Sequence, residues 1–245
     1  MKKYPLLWAG LFLLSAFYTH ILAQGQKIEL DRITQPKVEK FLSKCHLNCA
    51  GDLAGIQPLC SIKEDPSFKF TTKSFVIEAP VETVWKAYQN INPERAWSGN
   101  KASFGFMYSK TDGNISYSND EFRGMELGQM IFINLHLLGG WFNIAVGHEV
   151  TEINEDQKYL RLCYLENGAS QGSQFIYFSK MADGRTRIVH DTYYKSASDF
   201  RDRKLYPTLH NMFIKEYHSN MAKLIEEEIS SSDEGEILVS EHASL

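Results

Sequence analysis

At 245 residues the chain has room for one well-buried domain plus extensions. Its 26 basic and 30 acidic residues are scattered along the chain to a net charge of -4, which offers no basic face to neutralise a phosphate backbone and excludes nucleic acid as an expected partner. An aromatic share of 13% points to rings that fill a core or line a pocket.

Lys2 and Lys3 precede an apolar run from Leu6 to Phe17, and Ile21-Leu22-Ala23 places an aliphatic and a small residue where a signal peptidase reads. Residues 1–23 are therefore expected to be a signal peptide cleaved after Ala23, which makes the protein secreted or periplasmic. The alternative is an uncleaved anchor, since Tyr4 to Ala23 approaches the ~20 residues that span a bilayer. Thr19 and His20 break that stretch. Cleavage leaves 24 basic against 30 acidic residues and no stable membrane insertion.

Residues 24–63 form an N-terminal extension, irregular apart from a helix that Thr34 can cap and Pro36 can open, with Val38, Phe41 and Leu42 on one face. The extension holds three of the four cysteines. In an oxidising compartment a disulfide from Cys60 to either Cys45 or Cys49 would staple the loop from Gly51 to Pro58. Adjacent ligands at Cys45 and His46 fit no common zinc spacing, so no metal is expected. Cys163 lies inside an apolar strand pattern and reads as a buried thiol.

The main domain is expected over residues 64–229. Phe68 to Glu78 alternates as a strand and breaks at Ala79-Pro80; Pro80 then opens a helix with Val81, Val84, Trp85 and Tyr88 on one stripe. Asn92-Pro93-Glu94 starts a short second helix that reaches Trp97. From Ser103 the period changes to two. Strands are predicted over 103–109, 114–118, 128–137, 141–153, 157–165, 171–181 and 185–195, and their short connections make neighbours antiparallel. Leu209, Phe213, Tyr217, Met221 and Leu224 then share one face of a helix over 205–229. The Ser-rich and acidic tail over 230–245 is expected to be disordered.

The run Phe75-Val76-Ile77-Glu78-Ala79-Pro80-Val81-Glu82-Thr83-Val84-Trp85 resembles the strand-to-helix junction of the START-like or SRPBCC superfamily, which includes Bet v 1 allergens, polyketide cyclases and lipid-transfer domains. The resemblance covers about two thirds of the chain. It implies an α+β helix-grip fold, in which a curved antiparallel sheet wraps a long C-terminal helix and two short helices follow the first strand. It also implies a ligand cavity between sheet and helix. The superfamily carries binders, transporters and enzymes on one scaffold, so the resemblance leaves activity open.

A strongly curved sheet over one helix leaves a space that only large side chains close. Phe132, Phe142, Phe175, Tyr177 and Tyr193 are the candidate wall, opposite Phe213 and Tyr217. They either meet in the middle or share the volume with a small hydrophobic molecule, a lipid or an aromatic metabolite. His148 is in step with Phe142, Ile144, Val146 and Val150 and belongs to the same face. Asp191, in phase with Val189 and Tyr193, is a second candidate, and the two would make a carboxylate–imidazole pair for proton transfer if both faced inward. That pair is the basis of the alternative, a cyclase- or hydratase-type enzyme. The cluster Asp199, Arg201, Asp202, Arg203 and Lys204 reads as a solvated turn or as a gate to the cavity. No motif for a cofactor, a serine nucleophile or a metalloprotease is present, and no cofactor is expected. A protein partner docking on the extension is a third reading.

Overall fold

The computed structural model describes residues 25–62 and 65–231, with the backbone of the terminal helix continuing to His242. The expected signal peptide lies outside the described residues, as do the side chains of the expected tail beyond Ser231.

Two short helices come first, α1 (Pro36–Lys44) and α2 (Ala50–Gly55). The domain follows as β1 (Lys69–Ile77), α3 (Val81–Asn90), α4 (Pro93–Ala96), β2 (Ala102–Ser109), β3 (Ile115–Ser116), β4 (Gln129–Leu137), β5 (Phe142–Asn154), β6 (Tyr159–Tyr164), β7 (Gln171–Lys180) and β8 (Thr186–Lys195). A π-helical turn over Arg201–Leu205 leads into α5 (Tyr206–His242). All eight strands form one antiparallel sheet in the order β1-β8-β7-β6-β5-β4-β2-β3. From β4 to β8 the strands are a meander; β1 closes the far edge by pairing with β8, Phe70 opposite Tyr193 and Phe75 opposite Ile188. This is the expected helix-grip arrangement.

Alternation along the strands separates the two faces. At one end of the inner face, Trp85 and Tyr88 of α3 meet Phe178 of β7 edge-on, with ring centres 5.3 and 4.8 Å apart. Ile176, Ile188 and Leu160 complete that core against Tyr217, Met221 and Ile225 of α5. The helix is held by its polar side as well. The Glu216 carboxylate accepts hydrogen bonds from the backbone N–H groups of Asn100, Lys101 and Ala102 at 2.8–3.1 Å, where the chain enters β2.

The outer face over β2, β4 and β5 is covered by the extension. Val38, Leu42 and Leu53 are fully buried against Phe106, Met130 and Phe132, so this half of the domain has three layers. Gly105 makes the close approach possible: a Cβ there would lie 2.9 Å from the Phe132 carbonyl oxygen and 3.1 Å from Val38 Cγ2. Arg32 bonds Asp120 at 2.6 Å and stacks over Tyr117, 4.4 Å from its ring centre. The N-cap of α1 is Gln35 with no side-chain cap, so Thr34 does not cap it.

The disulfide differs from expectation. Cys60 pairs with Cys163, 103 residues away, while Cys45 and Cys49 are free thiols. Beyond Cys163 and Ser173 the strands β6 and β7 diverge, and Leu59 enters the gap: its N–H donates to the Tyr164 carbonyl and its carbonyl accepts from Gly172, both at 2.7 Å. That insertion sets Cys60 beside the outward-facing Cys163. Cys49 instead serves as the N-cap of α2, in a capping box with Asp52.

Candidate functional site

Past the filled core, the inner face of the sheet and α5 separate to enclose a cavity of about 210 Å³. Ile133, Leu135 and Leu137 of β4 and Ile144 and Val146 of β5 form one wall. Leu209, Phe213 and Ile214 of α5 form the other. Leu205 and Arg201 border it from the π-helical turn, and Trp97 from the end of α4. That turn is tied down: Asp202 is buried and accepts from Ser196 N and Ser196 Oγ at 2.7 and 2.6 Å, while Arg201 Nη2 donates to the Ala169 carbonyl and, at 3.1 Å, to Ser170 Oγ. Of the mixed-charge cluster, Asp202 is therefore structural and Arg201 borders the cavity. Arg203 and Asp199 form an exposed ion pair at 2.8 Å.

The boundary between filled core and cavity is polar. Tyr88 Oη lies 2.7 Å from His218 Nδ1, and His218 Nε2 lies 2.9 Å from His190 Nδ1. His190 Nε2 reaches Gln174 Oε1 at 2.8 Å, and His210 Nε2 reaches the same oxygen at 3.3 Å. The other end of the amide, Gln174 Nε2, lies 2.7 Å from His148 Nε2 and 3.3 Å from Tyr164 Oη. Tyr164 in turn shares a hydrogen bond with Tyr206. His148, Gln174, Tyr164, Tyr206 and His210 all line the cavity.

Burial decides the charge of this network. Desolvation pushes His148 down to about 4 and, with repulsion from His210, pushes His218 down to about 3. His190 and His210 are lowered by the same cause, with the neighbouring imidazoles adding to it. Burial raises Tyr88, Tyr164 and Tyr206. Neutral imidazoles and phenols thus make up the network, and the charge that borders the cavity is the Arg201 guanidinium.

Of the residues expected from the sequence, His148 and Phe213 border the cavity. Tyr217 is one turn too far along α5 and stacks on Trp97 at 4.4 Å in the filled core. Phe132 points to the outer face, stacked on Phe106 at 4.4 Å beneath the extension. Phe142 sits at the β4–β5 tip and is 66% exposed. Phe175, Tyr177 and Tyr193 lie on the outer face in a surface cluster with Phe70 and Tyr159. Asp191 shares that face, in register with Thr72 and Phe175, so it forms no pair with His148. The inward residues of β8 are Thr186, Ile188, His190, Thr192 and Tyr194, one step out of phase with the expectation. Rings occur on both faces here, so ring content does not reveal which face is inside.

Gln174, His190, His210, His218, Tyr164 and Tyr206 were not anticipated. A signal for three of them exists: Tyr206, His210, Ile214 and His218 recur every four residues, a stripe beside the apolar one on α5. Among the described residues no cluster of three or more His, Cys, Asp or Glu side chains is arranged to hold a metal ion, and no helix is long and apolar enough to cross a membrane.

No family model and no curated protein matches the sequence. Solved structures similar to the chain include norcoclaurine synthase from Thalictrum flavum in complex with dopamine and hydroxybenzaldehyde, at 13% identity and a TM-score of 0.48, over 70% of this chain and 97% of that one. Major latex-like protein 151 from Panax ginseng matches at 9% identity and 0.46, over 64% and 96%. An uncharacterised protein from Rhizobium leguminosarum matches at 13% and 0.43, over 65% and 95%.

Proposed function

We propose that the chain is an exported binding protein for a small, predominantly apolar molecule held between sheet and terminal helix. The observation that carries this reading is a cavity of about 210 Å³ walled mainly by Ile, Leu, Val and Phe side chains, with the His–Gln–Tyr network at its floor and Arg201 at its border. Close packing removes such space wherever side chains can fill it, as they do around Trp85 and Phe178. Apolar walls with convergent polar groups favour an oriented amphipathic guest.

Solvent extraction of the purified protein followed by mass spectrometry tests the reading. A bound small molecule is expected from the native chain and its loss from a Phe213→Asp variant; no molecule bound, and none taken up from a panel of lipids and aromatic metabolites, would overturn it. Export rests on the sequence of residues 1–23 and on a disulfide that an oxidising compartment would preserve. Determination of the mature N-terminus is expected to give Gln24; retention of Met1 would overturn the cleavage.

A second reading is an enzyme of the cyclase or hydratase kind. It is favoured by two imidazoles, His148 and His210, that border the cavity and are both oriented by the Gln174 amide. Its acid and base would be His148 and His210. Loss of turnover on a candidate substrate in His148→Phe and His210→Phe, with Asp191→Asn unaffected, is the pattern it requires.

A further inference from the structure

The orientation of one side-chain amide constrains what the cavity floor can recognise. An amide has a donating end and an accepting end. His148 Nε2 faces the nitrogen of Gln174 at 2.7 Å, while His210 Nε2 and His190 Nε2 face its oxygen at 3.3 and 2.8 Å. A neutral imidazole has one N–H and one lone pair, so His148 must accept at Nε2 and hold its proton on Nδ1. His210 must donate from Nε2 and keep a lone pair on Nδ1. Turning the amide over exchanges the two assignments but cannot make the rings alike.

The far end of the chain selects between the two orders. Tyr88 has no hydrogen-bond partner other than His218 among the described residues, and it lies in the filled core. Its hydroxyl proton must therefore go to His218 Nδ1, because in the reversed order it would be buried without an acceptor. The polarity then runs from Tyr88 through His218 and His190 into Gln174 Oε1, which leaves Gln174 Nε2 as the donor to His148.

The two Nδ1 atoms have no hydrogen-bond partner among the described residues, and that of His210 is fully shielded by its surroundings. Both rings border the cavity. We propose that His148 and His210 form a matched donor and acceptor that selects a ligand bearing a neutral hydroxyl, an alcohol or phenol on an apolar body, which accepts from His148 Nδ1–H and donates to His210 Nδ1. A carboxylate is disfavoured because it cannot donate to His210 Nδ1, and the guanidinium that borders the cavity, Arg201, is already engaged by Ala169, Ser170 and Asp202. A hydrocarbon leaves both nitrogens unsatisfied. A small shift of the His210 ring within the cavity wall is part of the binding step. The inference rests on the cavity being a binding site, as proposed above.

Two measurements on the full mature chain test it. Long-range ¹⁵N–¹H spectra of the histidine rings in the ligand-free protein are expected to show His148 protonated on Nδ1 and His210 on Nε2; the same tautomer on both rings would overturn the inference. Titration with 2-naphthol, naphthalene and 2-naphthoate, which share one apolar body, is expected to show 2-naphthol binding at least about tenfold tighter than either of the others, a difference of ~1.4 kcal/mol. In His148→Phe and in His210→Phe the preference should fall below about threefold, with naphthalene affinity retained as evidence that the cavity persists. Equal affinity for all three in the native chain would overturn this inference and leave the binding site standing. No binding of any would overturn both.

Discussion

The sheet and α5 enclose two regions that differ in how they are finished. Around Trp85, Tyr88 and Phe178 large rings interlock from three elements, and all but about 30 Å³ of the space is filled. A turn or two away, between Val146 and Phe213, branched aliphatics line a volume they do not close. The difference lies in what backs each region. α3 lies across the first and contributes Trp85 and Tyr88, whereas Trp97, Tyr164, Tyr206 and Phe213 border the second without closing it. The domain is thus packed at one end and open at the other, with the His–Gln–Tyr network as the partition.

The largest expected effect comes from charging that partition. Each of its histidines has a folded-state value below the ordinary 6.5, down to about 4 for His148 and about 3 for His218. Below 6.5 the unfolded chain takes up protons that the folded chain refuses, so stability is complete above that value and is lost as pH falls towards the folded values. Each such histidine removes about 1.4 kcal/mol per pH unit across that window. Chemical denaturation between pH 7 and 4.5 should show a steep acid limb that becomes shallower in His218→Phe; an unchanged slope would mean the imidazoles are not held neutral.

Trp85→Ala should follow, with a loss of about 3–5 kcal/mol, because the filled end cannot collapse around the missing ring. Phe213→Ala, facing space already open, should lose about half as much by the same reasoning, and equal losses would erase the distinction between the two ends. Removing the staple by Cys60→Ala should lower stability by about 2–4 kcal/mol, measured against the native chain with and without reductant. The smallest effect is expected for Val146→Phe, which grows into open volume and should change stability by less than about 1 kcal/mol while abolishing uptake of an apolar probe. The equivalent enlargement in the filled end, Ile188→Phe, should be clearly destabilising by about 1–3 kcal/mol, and tolerance there would show that end to be loosely packed.

Strand positions were legible because turn residues such as Asp112-Gly113 and Asp183-Gly184 interrupt a period-two pattern, and the expected 171–181 and 185–195 became Gln171–Lys180 and Thr186–Lys195. The helix was legible from its apolar stripe. The phase of β7 and β8 was not, because Phe175, Tyr177 and Tyr193 make a surface cluster whose residue types match those of a core. On those strands the polar residues mark the inside: Gln174 and His190 share the inner face with Ile176, Phe178 and Ile188. The Cys60–Cys163 pairing was hidden for another reason. It depends on the divergence of two strands that only tertiary structure brings together.

The layer formed by α1 and α2 has a mechanical consequence. β4 and β5 are pressed between that layer and the cavity, and Cys60 fastens the neighbouring β6 from behind. The rear wall of the chamber therefore has little freedom to breathe. On the binding reading proposed above, a molecule entering or leaving displaces the front instead, where the Leu138–Trp141 tip stands in solvent with Trp141 92% exposed. Hydrogen exchange should accordingly be slow along Gln129–Leu137 and fast through 138–142, and a ligand should slow 138–142 most.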